Sequence, residues 1–179
     1  LRENNALSFS GENRLSNEKA RSRSLEIGDI NNDGDLDIVF GEKPNNDQAG
    51  YNTLYRWGSN GFAGPTAIQQ KSTFVTFAVK LAAVDGDGYL DLIEGHPGAP
   101  THVYLSLEPG ASGFGPPLVV ADSNTMHTTV ALEVRDIDRD GDLDIFEGNN
   151  GDWDQDNVAG TTDIPQPVRL FLNNGNGTF

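Results

Sequence analysis

The stretch Asp136-Ile137-Asp138-Arg139-Asp140-Gly141-Asp142-Leu143-Asp144 sets five carboxylates two residues apart around one glycine, a spacing with little use except to hold a hard cation. It recurs as Asp29-Ile30-Asn31-Asn32-Asp33-Gly34-Asp35-Leu36-Asp37, and again as Ala83-Val84-Asp85-Gly86-Asp87-Gly88-Tyr89-Leu90-Asp91, where the first carboxylate is missing. The central Asp33, Asp87 and Asp140 stand 54 and 53 residues apart. A second marker, a Phe closing a glycine-rich turn, keeps nearly the same interval: Phe9, Phe62, Phe114 and Phe179 lie 53, 52 and 65 residues apart. Two independent markers with one period define a repeat protein.

Each unit reads in one order. An alternating strand comes first, at Ser24–Ile27, Val79–Ala82 and Val130–Val134. The acidic loop follows, then a second strand at Leu36–Phe40, Leu90–Ile93 and Leu143–Phe146, ended by Gly41, Gly95 and Gly148. The adjacent apolar pairs Ile38/Val39, Leu92/Ile93 and Ile145/Phe146 break the alternation, which predicts strands covered on both faces. A third strand at Thr53–Tyr55, His102–Leu105 and Val168–Leu172 runs into a Gly/Asn-rich turn, and the Phe after it opens an edge strand. The expected fold is all-β: about three four-stranded antiparallel meanders, each the size of one β-propeller blade. The units run approximately over residues 9–61, 62–113 and 114–178, with 1–8 the tail of a preceding unit. Closed propellers usually have four to eight blades, so the reading is a segment of a larger propeller or one completed by a partner chain. The chain begins at Leu1, which fits a mature product or an excised piece, so the lack of a visible signal peptide carries little weight.

Charge narrows the choice of partners. A formal charge of −15 opposes binding to nucleic acid, and no apolar run approaches the length of a membrane span. Twelve of the 27 acidic residues lie in the three loops, so three divalent cations would bring the net charge to about −9. Acidity is therefore mostly a property of the loops. The chain has no cysteine, which removes disulfides and thiolate metal sites.

Calcium takes six to eight oxygen ligands in a flexible cage. In a tight loop the first, third, fifth and ninth side chains converge, the seventh residue offers a carbonyl, and glycine at the sixth allows the reversal. The candidate ligands are thus Asp29, Asn31, Asp33, Asp35 and Asp37; Asp85, Asp87, Tyr89 and Asp91; and Asp136, Asp138, Asp140, Asp142 and Asp144. Up to three Ca2+ are expected, with the middle site weakest because Ala83 replaces its first ligand. Magnesium keeps its waters and demands a stricter octahedron, and the loops hold no nitrogen or sulfur donor for a transition metal. An Asp-rich turn that merely caps a hairpin is the simpler account of one loop, but it does not explain three at one period. The third loop also satisfies the EF-hand pattern, with Glu147 at its twelfth position. Its flanks exclude that reading, since Thr128–Val134 alternates like a strand and Gly148-Asn149-Asn150-Gly151 cannot start a helix.

The Asp-x-Asp-x-Asp-Gly-x-x-Asp loop followed by an apolar strand, together with Leu170-Phe171-Leu172-Asn173-Asn174-Gly175-Asn176-Gly177-Thr178-Phe179, resembles FG-GAP or VCBS repeats, the blades of integrin-alpha-like β-propellers. The resemblance covers nearly the whole chain. It implies a structural calcium in the loop between a blade's first two strands, and Ala83 departs from the pattern.

Nothing in the sequence assembles a catalytic centre. There is no Gly-x-Ser-x-Gly elbow, phosphate loop or dinucleotide fingerprint. His96, His102 and His127 are scattered, and Glu94 with Glu147 is a nominal carboxylate pair at best. The expected role is a non-enzymatic calcium-binding scaffold or adhesion module for a protein or carbohydrate partner, in an extracellular, cell-surface or other calcium-rich compartment. The alternatives are a structural subunit of a large assembly and the non-catalytic part of a secreted enzyme. The insertion at 149–166, with Trp153 in Asp152–Asp156, is the loop most individual to this chain, and Trp57 and Tyr51 are further aromatic contacts for a ligand.

Overall fold

A computed structural model describes residues 15, 21–43, 52–68, 75–107, 113–120, 128–150 and 166–179. The expectations for the preceding tail at 1–8 and for Phe9, Tyr51, His127 and Asp152–Asp156 lie outside the described residues. Eleven strands and no helix occur among those described. They form three antiparallel sheets. The first contains β1 (Ser22–Gly28), β2 (Asp37–Glu42), β3 (Thr53–Arg56) and β4 (Ala63–Ala67), in that order. The second contains β5 (Ala78–Ala82), β6 (Asp91–Gly95), β7 (His102–Tyr104) and β8 (Leu118–Val119). The third contains β9 (Thr128–Arg135), β10 (Asp144–Asn150) and β11 (Arg169–Phe171). These are blade-like meanders of an all-β, propeller-type architecture.

Registers make the repeat explicit. Gly28 pairs with Asp37, Ala82 with Asp91, and Arg135 with Asp144, so each acidic loop closes the hairpin between a sheet's first two strands at the same point. Ile38 then faces Tyr55, Leu92 faces Tyr104 and Ile145 faces Phe171 across the next pairing. Each fourth strand starts beyond the turn that carries the Phe, at Ala63 after Phe62 and at Leu118 after Phe114.

The sheets stack face to face through two apolar joints. In the first joint, Ile30, Val39 and Leu54 on the front of sheet one meet Val79, Leu81, Leu92 and Tyr104 on the rear of sheet two. In the second, Ala78, Val84, Ile93 and Val103 on the front of sheet two meet Leu132, Val134, Ile145 and Phe171 on the rear of sheet three. The same repeat positions build both joints, because strand alternation sends every other residue to one face. The adjacent apolar pairs follow from this. Leu92 and Ile93 in the middle sheet are both fully buried, each filling a different joint, whereas Ile38 and Phe146, which face outward at the two ends of the stack, are half-buried.

Gly41 and Gly148 do not end their strands, since β2 and β10 continue past them. At Gly41 and Gly95 the missing side chain allows close approach between sheets. A Cβ on Gly95 would lie 2.7 Å from Thr129 Cγ2 of the next sheet, and one on Gly41 would lie 3.0 Å from Thr76 Cγ2. Strand ends without side chains let the next sheet's first strand come that near. A row of charge follows the innermost strands: Lys80 Nζ reaches Glu26 at 3.0 Å and Glu133 at 3.4 Å, one repeat-equivalent residue from each sheet.

Candidate metal-binding loops

The three loops share one backbone path. Their sixth residues, Gly34, Gly88 and Gly141, have φ of 91°, 86° and 103°, and no neighbouring atom within 4 Å crowds them, so backbone conformation alone demands glycine there. The fourth residues are left-handed as well: Asn32 at 55°, Gly86 at 79° and Arg139 at 66°. This second reversal was invisible in the sequence pattern, because three different residue types occupy it.

Side chains at the third and fifth positions turn back onto the chain two residues ahead. Asn31, Asp85 and Asp138 accept from the N–H of Asp33, Asp87 and Asp140 at 3.3, 3.1 and 3.3 Å. Asp33, Asp87 and Asp140 accept in turn from Asp35, Tyr89 and Asp142 at 2.9, 2.8 and 3.0 Å. Asx turns of this kind fix the loop before any ion arrives. In the first loop Asp29 adds bonds from the N–H of Asp33 (3.1 Å) and Gly34 (2.8 Å). Ala83 provides no such bracket in the second loop. The N–H of Asp35 and the Asn31 amide, both donating to Asp33, hold its carboxyl below the usual range.

The ninth residue behaves differently. Asp37, Asp91 and Asp144 are fully buried. One oxygen of each accepts from the loop's second residue: Ile30 N–H at 3.3 Å, Val84 at 2.8 Å and Ile137 at 3.0 Å. The other accepts from the residue that leaves the third strand: Trp57 at 3.1 Å, Ser106 at 2.8 Å and Asn173 at 3.0 Å. This carboxylate therefore joins the loop to the first three strands of its sheet. Burial pushes the Asp37 carboxyl up, and it pushes Asp91 up to about 6 despite the two N–H donors.

Each Asp oxygen has a second lone pair, so this clip can also serve an ion. Among the described residues, ligand atoms of Asp136, Asp138 and Asp144 lie within 4.8 Å of one another, an acidic cluster that can hold a metal ion. Desolvation, and then the facing carboxylates of Asp140 and Asp144, push Asp138 up, a penalty that a cation would relieve. An all-oxygen, all-carboxylate set of this kind suits a hard cation. Glu147, the twelfth residue that completed the EF-hand pattern, is buried with neither oxygen hydrogen-bonded among the described residues, and β10 continues through it where an EF-hand would need a helix.

Sequence reasoning did not find two further elements. Asn173, read only as part of a turn, is buried and donates to the carbonyls of Val84 (2.6 Å) and Leu143 (3.0 Å), tying the second and third loops together. A buried polar cluster also spans the first joint. Asn52 accepts from Glu42 N–H at 2.8 Å and donates to Thr76 Oγ1 at 2.9 Å and to Glu94. Tyr104 bonds to Glu94 as well, and its hydroxyl is raised well above the ordinary phenol range by burial and that carboxylate. His96 sits fully buried with Nε2 3.6 Å from Glu94, Nδ1 3.1 Å from the Val75 carbonyl, and its ring against His102. Burial and the His102 neighbour hold His96 down to about 4. Glu94 and Glu147 lie in different joints on rear faces and do not form the carboxylate pair of a glycosidase cleft.

No curated protein matches the chain. The FG-GAP-like repeat family model matches residues 29–94 and again residues 83–147. The two windows open on the first positions of the first and second loops, and each runs past the next loop into its following strand. Together with three loop-closed hairpins in register, these matches place the chain in the FG-GAP-like repeat family.

Proposed function

We propose that the protein is a calcium-stabilised β-propeller scaffold that presents a protein or carbohydrate partner with surfaces between its blades, and that it carries no catalytic centre of its own. The observation that supports this best is the convergence of Asp136, Asp138 and Asp144 on a loop already shaped by Asx turns. Calcium there would join the two strands of each hairpin more tightly, and the third loop would bind most strongly. The second loop lacks the first carboxylate and would bind most weakly. The first has Asn31 in place of a charged ligand and falls between them. Extracellular modules of comparable ligand count bind at roughly 10⁻⁴ to 10⁻³ M, which fits an extracellular or cell-surface setting.

The test is thermal melting in excess chelator and in millimolar calcium. Calcium should raise Tm, magnesium should do so far less, and Asp138→Ala should remove more of the calcium effect than Asp85→Ala. Identical melting in chelator and calcium would defeat the proposal.

A further inference from the structure

The two ends of the stack are the two halves of the joint that the molecule already makes twice. On the rear of sheet one, Leu25 and Ile27 are 52% and 53% exposed, although the residues in register with them bury: Val79 and Leu81 in the first joint, Leu132 and Val134 in the second. On the front of sheet three, Ile137 and Leu170 are 50% and 45% exposed. Their counterparts Ile30 and Leu54 fill the first joint, and Val84 and Val103 fill the second. Ala131 is exposed where its counterpart Ala78 is core.

Gly148 makes the same point through its missing side chain. Gly41 and Gly95 admit Thr76 and Thr129 of the next sheet, but among the described residues a Cβ on Gly148 would meet only Ala131 of its own sheet. The residue in register with Thr76 and Thr129 is Ser22, at the start of β1 and exposed. An open front face with a reserved notch and an open rear face with the matching small residue are complementary, because each is built from positions that already mate elsewhere in the chain.

We propose that the chain assembles head-to-tail with a second copy of itself, the Ile137/Leu170 front face of one copy seating on the Leu25/Ile27 rear face of the other. Ser22 then enters the notch at Gly148. Joined front to rear in both directions, two copies leave none of these described faces open. At these joints Glu133 of one copy approaches Glu26 of the other, where the internal joints have Lys80 between them; Arg135, 3.2 Å from Glu133, is the nearest cation. Association should therefore strengthen as salt screens that pair. The assembly does not require the calcium reading, since its contacts are the apolar side chains of Ile137 and Leu170 against Leu25 and Ile27 and not the loop carboxylates.

Sedimentation velocity over a concentration series in calcium and in chelator tests this. The parent chain should reach twice its monomer mass. Leu25→Asp and Leu170→Asp, both at half-exposed strand positions, should each weaken association roughly 100-fold or more by placing a charge in the joint. Each variant keeps one intact face, so an equimolar mixture of the two should regain a 1:1 dimer that neither forms alone, which also shows that both are folded. Gly148→Ala, which adds one methyl and no charge, should weaken the parent dimer too. A parent that stays monomeric at every concentration, single variants that still dimerise, or a mixture that stays monomeric would each overturn the proposal. So would a monomer that instead captures a separate FG-GAP-like repeat protein, since the faces would then belong to a different occupant.

Discussion

Replacing Asp91 by Ala separates the two tasks that one loop position performs. The carboxylate is fully buried and accepts N–H bonds from Val84 and Ser106, both at 2.8 Å. Bonds to a charged acceptor contribute about 1.5–3 kcal/mol each, so two of them give about 3–6 kcal/mol gross. Burial and the charges of Asp85 and Asp87 outweigh those bonds and push its pKa up to about 6, so the loss comes from the two N–H donors of Val84 and Ser106 left without an acceptor, roughly 2–4 kcal/mol together. For a chain of this size each kcal/mol moves Tm by about 2–4 °C, so Asp91→Ala should melt on the order of 10 °C lower. Asp87, four residues earlier, is exposed and accepts one N–H from Tyr89 at 2.8 Å. Its removal should cost under about 1 kcal/mol. Both variants should be melted by calorimetry in excess chelator, so that no ion contributes. Equal losses would refute the reasoning, and so would an Asp91→Ala variant that is neutral in chelator yet weak in calcium. In that case the ninth carboxylate would be a metal ligand with no clip function.

Three other perturbations read out separate features. Arg139 is held at φ 66° where the first loop has Asn32, so Arg139→Asn should stabilise by about 0.5–1 kcal/mol in urea unfolding. Gly95→Ala would bring a methyl to 2.7 Å from Thr129 and should destabilise by about 1–3 kcal/mol, also read from urea unfolding. The depressed pKa of His96 means that the folded state takes up its proton only near pH 4, while the unfolded state does so near the ordinary imidazole value of 6.5. Stability from this group is full above pH 6.5 and falls away as pH drops through about 4, a loss of about 3 kcal/mol at the acid end. His96→Asn, which copies Asn149 at the equivalent place in the third sheet, should flatten the stability profile between pH 6.5 and 4, measured as urea midpoints.

The period of the repeat, the first three strands of each unit and the hairpin-closing loops were legible because each rests on local chemistry: alternation, a Gly reversal and a run of carboxylates. What the sequence hid is non-local or carried by the backbone. The partners of Asp37, Asp91 and Asp144 on the third strand are main-chain N–H groups of Trp57, Ser106 and Asn173, so those three residues share no side-chain signature. Asn52 meets Glu94 across 42 residues of chain, and no spacing rule anticipates such a contact. The glycines after the second strands read like stops because glycine weakens a strand, yet pairing with Ser22 of β1 and with Thr129 and Thr128 of β9 carries the ladder beyond Gly41 and Gly148. The pairing of adjacent apolar residues was read correctly as two-sided cover, but the sequence did not show that only the middle sheet receives it in full.

That difference in cover sets a gradient of cooperativity along the stack. In a linear array each unit is held by its own stability and by its nearest-neighbour couplings, so among the three described sheets of a single copy the central one has two couplings and the outer ones have one. The middle sheet, with every residue of β6 buried, therefore forms the last part of the molecule to open, while β1 and β11 fray from the ends. The same sheet carries the loop that lacks a first carboxylate. The loop with fewer carboxylates thus falls on the unit best able to tolerate a looser hairpin end, because neighbours on both sides restrain it.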